Sequence, residues 1–108
     1  MKAKFPDNHW LYRLKADLQK IEPSLQLILY GSRARGDARP DSDWDLLLLT
    51  EKPKISYEME DVLRTPVYLT ELAIGESFSL QIFSKYDWEH KYYITPYYEN
   101  IQKEGILI

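Results

Sequence analysis

The sequence of 108 residues contains no cysteine. Disulfide staples, thiolate metal sites and cysteine nucleophiles are therefore excluded, and the composition is compatible with the cytosol, so a cytoplasmic location is expected. Histidine is also scarce. His9 and His90 stand alone, without metal-ligand spacing, and are expected to be surface or helix residues; no Ser-His-Asp arrangement is supported. No apolar run approaches the roughly twenty residues that span a bilayer, so no membrane segment is expected. The first six residues lead into no apolar core, which argues against a secretory signal. An excess of positive charge is missing too. With 14 Lys and Arg against 17 Asp and Glu, the net charge is −3, and there is no global attraction to nucleic acid. No repeat, linker or low-complexity tract divides the chain, so a single domain over residues 1–108 is expected, long enough to bury a core without staples.

What the chain does contain is concentrated in residues 30–49, which read YGSRARGDARPDSDWDLLLL. Residues 25–30 are short, apolar and followed by Gly31, so they read as a strand. Residues 43–50 read as a second strand, and the run Leu46, Leu47, Leu48, Leu49 predicts burial on both faces. Alternation along a strand places Asp43 and Asp45 on one side and Trp44 on the other. Two neighbouring carboxylates suit Mg²⁺, which takes one or two protein carboxylates and completes its shell with water and substrate phosphates. Gly31 lets a ligand approach the backbone. Ser32 offers a hydroxyl, and the amides after it can meet an anion if a short helix begins there. Arg33, Arg35 and Arg39 add positive charge. Ten residues separate Ser32 from Asp43, so a phosphate-holding turn stands one loop away from a metal-holding pair. That combination points to phosphoryl or nucleotidyl transfer by positioning and charge neutralisation.

These residues resemble the nucleotidyltransferases of the DNA polymerase beta superfamily, in their minimal form. The resemblance rests on Gly-Ser-x-Ala-Arg-Gly at residues 31–36 and Ser-Asp-x-Asp-Leu at residues 42–46. It implies an α/β (α+β) fold, a small mixed sheet with helices packed on it. It also implies a nucleoside triphosphate substrate, ATP by preference, and two Mg²⁺ ions. In that scheme Asp43 and Asp45 are the catalytic and metal-holding acids. Gly31, Ser32, Arg33, Arg35 and Ser42 form the nucleotide-binding set. Minimal members often look like the antitoxin half of a toxin–antitoxin pair whose partner is a small helical protein of the HEPN class. The implied reaction is transfer of AMP from ATP to a hydroxyl of that partner.

The rest of the chain predicts a framework around the motif. Asp7 or Asn8 is expected to cap a helix carrying Leu11, Leu14, Leu18 and Ile21 at helical spacing, ended by Pro23. Residues 56–74 read as helical, with Pro66 expected to interrupt or kink them and Gly75 to stop them. Residues 78–83 alternate as a half-buried strand. Trp88 falls in a short helix, and a last helix runs from about Pro96 to Glu104 with Gly105 as its stop.

Members of the resembled superfamily carry a third carboxylate on the neighbouring strand. Here that stretch is Ser79-Leu80-Gln81, and Gln81 is the third-strand position singled out, although an amide supplies no negative charge. Glu71 or Glu76 would substitute only in another register. An active transferase therefore stands beside an alternative, a nucleotide- or partner-binding module that lacks catalysis. Transfer to a small hydroxylated molecule is a weaker third reading. Tyr92, Tyr93, Tyr97 and Tyr98 either cover the sheet or form a docking face for a partner or a second copy of the chain.

Overall fold

The computed structural model describes residues 5–108; residues 1–4, the start of the segment read above for a signal, lie outside them. Nine elements follow in order: α1 (Trp10–Ile21), β1 (Gln26–Tyr30), α2 (Ser32–Arg35), β2 (Trp44–Thr50), α3 (Tyr57–Ile74), β3 (Phe78–Ser84), α4 (Lys85–His90), α5 (Pro96–Glu104) and β4 (Ile106–Leu107). The four strands form one mixed sheet in the order β3-β2-β1-β4. β1 runs antiparallel to both β2 and β4, and β2 runs parallel to β3. The parallel pair needs a crossover, which α3 supplies.

The sheet is covered on both faces, as the leucine run requires. Leu46 and Leu48 join Leu27, Leu29, Leu11, Leu14, Leu18 and Leu63 in a core against α1 and α3. Leu47 and Leu49 pack on the opposite face with Trp88 and Ile101, from α4 and α5. Each fully buried leucine contributes about 1.5–3 kcal/mol of transfer free energy. β2 is therefore the most firmly held strand, with Asp45 near its start and Asp43 just before it. Tyr92, Tyr97 and Tyr98 belong to the second cluster and cover the sheet; Tyr93 stays exposed.

Two local expectations are corrected and a third is extended. The cap of α1 is His9, not Asp7 or Asn8: the His9 Nδ1 accepts from the Leu11 amide at 3.2 Å, while residues 7 and 8 form the preceding turn. Pro66 does not break α3, which is continuous. The carbonyl that loses its partner belongs to Val62, which is exposed, so water can satisfy it. Gly105 does more than stop α5. Its backbone is extended, with φ −64° and ψ 140°, and leads straight into β4, a strand of two residues too short to show alternation. A Cβ at Gly105 would lie 2.5 Å from the Ile101 carbonyl oxygen.

His9 makes stability depend on pH. Burial lowers its pKa from the ordinary 6.5, with Glu76 opposing, and only the neutral ring can accept at Nδ1. Because the folded-state value is depressed, the cap's contribution is full above the unfolded value and is lost as pH falls through the folded one. Thermal denaturation is expected to show a decline on that acid side of about 4–8 °C for a cap worth ~1 kcal/mol. His9→Asn, an uncharged cap, should flatten it. An unchanged slope in the variant would remove His9 as the cause.

Candidate nucleotide and metal site

β1 and β2 pair so that Tyr30 stands opposite Asp45, and the chain leaves β1 through Gly31 directly over that carboxylate. The Gly31 backbone has φ +74° and ψ −158°, a region open in practice to glycine alone. A Cβ there would overlap Asp45 Oδ2 and lie 3.0 Å from its Cγ. Conformation and close approach thus demand glycine independently. The turn continues into α2, whose residues 34 and 35 donate their amides to the Gly31 carbonyl. The first amides of a helix lack acceptors within it, and here they follow a turn seated on an acid. The glycine turn and Asp45, one of the two acids singled out in the sequence, therefore meet.

β2 begins one residue later than expected, at Trp44, and Trp44 and Asp45 alternate across it. Trp44 is buried in the α1–α3 core, while Asp45 is half-buried on the other side of the strand and Asp43 is exposed. Burial, then repulsion from Asp43, pushes the Asp45 carboxyl above its ordinary range; Arg35 pulls it down and Glu104 pushes it up. Two carboxylates repel each other at a half-buried position, an arrangement that a divalent cation relieves. Among the described residues no group of three or more His, Cys, Asp or Glu is arranged to hold a metal. The donor set is two acids, which fits a Mg²⁺ that brings water and phosphate oxygens as its remaining ligands.

The arginines divide the work. Arg33 donates to the carbonyls of Ser42 (3.0 Å) and Pro40 (3.4 Å), pairs with Glu76 at 3.2 Å, and lies over the Trp44 ring at 4.7 Å. Its guanidinium ties the loop between α2 and β2 to the scaffold. Ser42 serves the same loop, its Oγ accepting from the Arg39 amide. Arg35 is half-exposed and pairs with Asp37 at 3.2 Å and Glu104 at 2.8 Å. Of the two arginines assigned to nucleotide binding, Arg35 is the one paired only with side chains, and Arg33 is the one built into the loop.

On β3 the parallel register sets Ser79, not Gln81, opposite Asp45; Gln81 stands opposite Leu47 and is exposed. Local sequence carries no mark of the offset between distant strands, and Gln81 stands two residues beyond the position that faces Asp45. No acid occupies this place. Glu71 accepts from the Phe78 amide and Glu76 from Trp44 Nε1 as well as Arg33, so both are engaged in holding the start of β3 and the loop. Two groups near the site were missed. Tyr97 donates to the Tyr30 hydroxyl at 3.1 Å, and burial pushes its own pKa far up. Glu104 lies 69 residues from Arg35 in the chain, and nothing in the local sequence marks it.

Comparisons with known proteins agree with this geometry. A family model described as a nucleotidyltransferase domain matches residues 11–103. A solved structure described as a toxin–antitoxin with AMP-PNP shares the fold with a TM-score of 0.57 and 14% identity, covering 88% of this chain and 69% of that one. A search of curated proteins gives no match. With Gly31 seated on Asp45, the acid pair leading β2, and the family model spanning most of its length, this chain belongs to the nucleotidyltransferase domain family.

Proposed function

We propose that the chain, as one domain over residues 1–108, is a Mg²⁺-dependent transferase that moves AMP from ATP to a hydroxyl of a partner protein. The observation that carries this reading is the contact of the Gly31 turn with the Asp45 carboxylate, which brings phosphate-binding backbone and metal-binding acid to one point. Gly31 admits the triphosphate against the main chain, Ser32 and the first amides of α2 orient it, and Arg35 offsets its charge. Asp43 and Asp45 would hold Mg²⁺, which when bound supplies charge neutralisation at the phosphates. The partner's hydroxyl oxygen bonds to the α-phosphorus as its proton passes to solvent water, the bond to the bridging oxygen breaks, and pyrophosphate leaves with its charge held by these groups. The solved toxin–antitoxin structure with a nucleotide analogue, together with the motif's resemblance to minimal antitoxin-like transferases, supports a small helical HEPN-type protein as the acceptor.

A second reading, a binding module without transfer, is favoured by one observation: Ser79 stands where a third acid would be. The test is incubation with ATP labelled at the α-phosphate, Mg²⁺ and candidate acceptor, scored for label on the acceptor and for pyrophosphate. Label with equimolar pyrophosphate is the expected result. A stable complex carrying no label would favour the module and overturn the transferase.

A further inference from the structure

Arg35 meets the end of α5 through Glu104, and that contact is electrostatically odd. Glu104 is the last residue of α5, where the helix dipole disfavours negative charge. It is mostly shielded from solvent, with only 20% of its side chain exposed. It also repels Asp45. The ordinary purpose of an acid in a helix, at the first turn, is served in α5 by Glu99. Against these costs stands one close partner, the Arg35 guanidinium, at 2.8 Å. The helix is fixed at both ends: Tyr97 in its first turn is bonded to Tyr30, Ile101 is buried, and Gly105 lies against Ile28.

We propose that Glu104 is a built-in competitor for the triphosphate, which makes nucleotide binding depend on the metal. This rests on the nucleotide site described above. In the unliganded protein Glu104 neutralises the arginine that the phosphates need. A nucleotide arriving without a cation takes Arg35 and leaves Glu104 bare beside Asp45, Asp43 and its own phosphates, so it binds weakly. A nucleotide arriving with Mg²⁺ brings the charge that replaces the lost ion pair. Glu104 acts through Arg35 and is a positioning residue, not a catalytic one.

The test is the affinity for AMP-PNP, measured by calorimetry with EDTA and with Mg²⁺, in wild type, Glu104→Gln and Glu99→Gln. Glu99 pairs with Lys103 on the same helix and is exposed, so its variant carries the same charge change away from Arg35. Glu104→Gln is expected to bind metal-free AMP-PNP roughly fivefold more tightly, the scale of one partly exposed ion pair, and the gain on adding Mg²⁺ should shrink by a similar factor. Glu99→Gln should match wild type. If Glu104→Gln proves unfolded by circular dichroism, Glu104→Asp, which keeps the charge on a shorter arm, should give an intermediate shift. Binding by wild type with no change in the Glu104 variant, or an equal change in Glu99→Gln, overturns the competitor role alone. Binding by none of the three, with or without Mg²⁺, overturns the nucleotide site and this inference together.

Discussion

Replacing both Asp43 and Asp45 by asparagine is expected to reduce the proposed adenylyl transfer by about a thousandfold or more while leaving the fold intact. Asparagine keeps the size and some hydrogen bonding of aspartate but not its charge, and a bound divalent cation accounts for several kcal/mol of transition-state stabilisation. At ~1.4 kcal/mol per decade of rate, loss of its ligands reaches that scale. The thermal midpoint should move the other way. The folded protein holds the Asp45 charge at a cost, since burial and Asp43 both raise its pKa. A folded-state value above the unfolded one contributes stability only below the unfolded value, lost as pH rises through the folded one, so at neutral pH the neutral amide relieves the cost. A metal-free variant that melts no lower than wild type, with Mg²⁺ no longer raising its midpoint, is the expected pattern. Transfer within tenfold of wild type would remove these acids from the reaction.

Gly31→Ala is expected to damage both stability and nucleotide binding. An alanine would be strained at φ +74°, ψ −158°, at a cost of about 1–3 kcal/mol, and its methyl group would overlap the Asp45 carboxylate. For a domain of this size ~1 kcal/mol corresponds to roughly 4–8 °C, so the midpoint should fall by about 4–24 °C. The methyl can be accommodated only if Asp45 swings away, so Mg²⁺-dependent binding of AMP-PNP should weaken even below the melting range. Thermal denaturation and calorimetry on the same preparation separate the two effects. Full affinity in a destabilised protein would mean that the turn shapes the fold but not the site.

The site was legible where its chemistry is local in sequence. Gly31 and Ser32 follow one strand, Asp43 and Asp45 flank the first residue of the next, and strand periodicity alone puts Trp44 on the opposite face from Asp45. The leucine run announced a strand covered on both sides, and two helix-bearing layers do cover it. What stayed hidden depends on elements meeting across the chain. The offset between β2 and β3 is set by α3 and by how Glu71 and Glu76 fasten the start of β3, so Ser79 could not be told from Gln81. The different fates of Arg33 and Arg35 depend on Glu76 and Glu104, partners from distant segments. Single residues also escaped the usual signals. A histidine caps α1 because its ring nitrogen reaches the amide that an Asp or Asn would ordinarily take, and β4 is too brief for any periodicity.

Trp44 separates the two acids in sequence, and its indole is buried among α1, α3 and the rings of Phe5, His9 and Trp10, with its nitrogen bonded to Glu76. The spacing of the carboxylates is therefore inherited from an apolar layer on the reverse of the sheet. Loosening that layer would blunt the chemistry without touching a single charged group, and a protein so altered could look well folded by every bulk measure while its reacting centre had drifted.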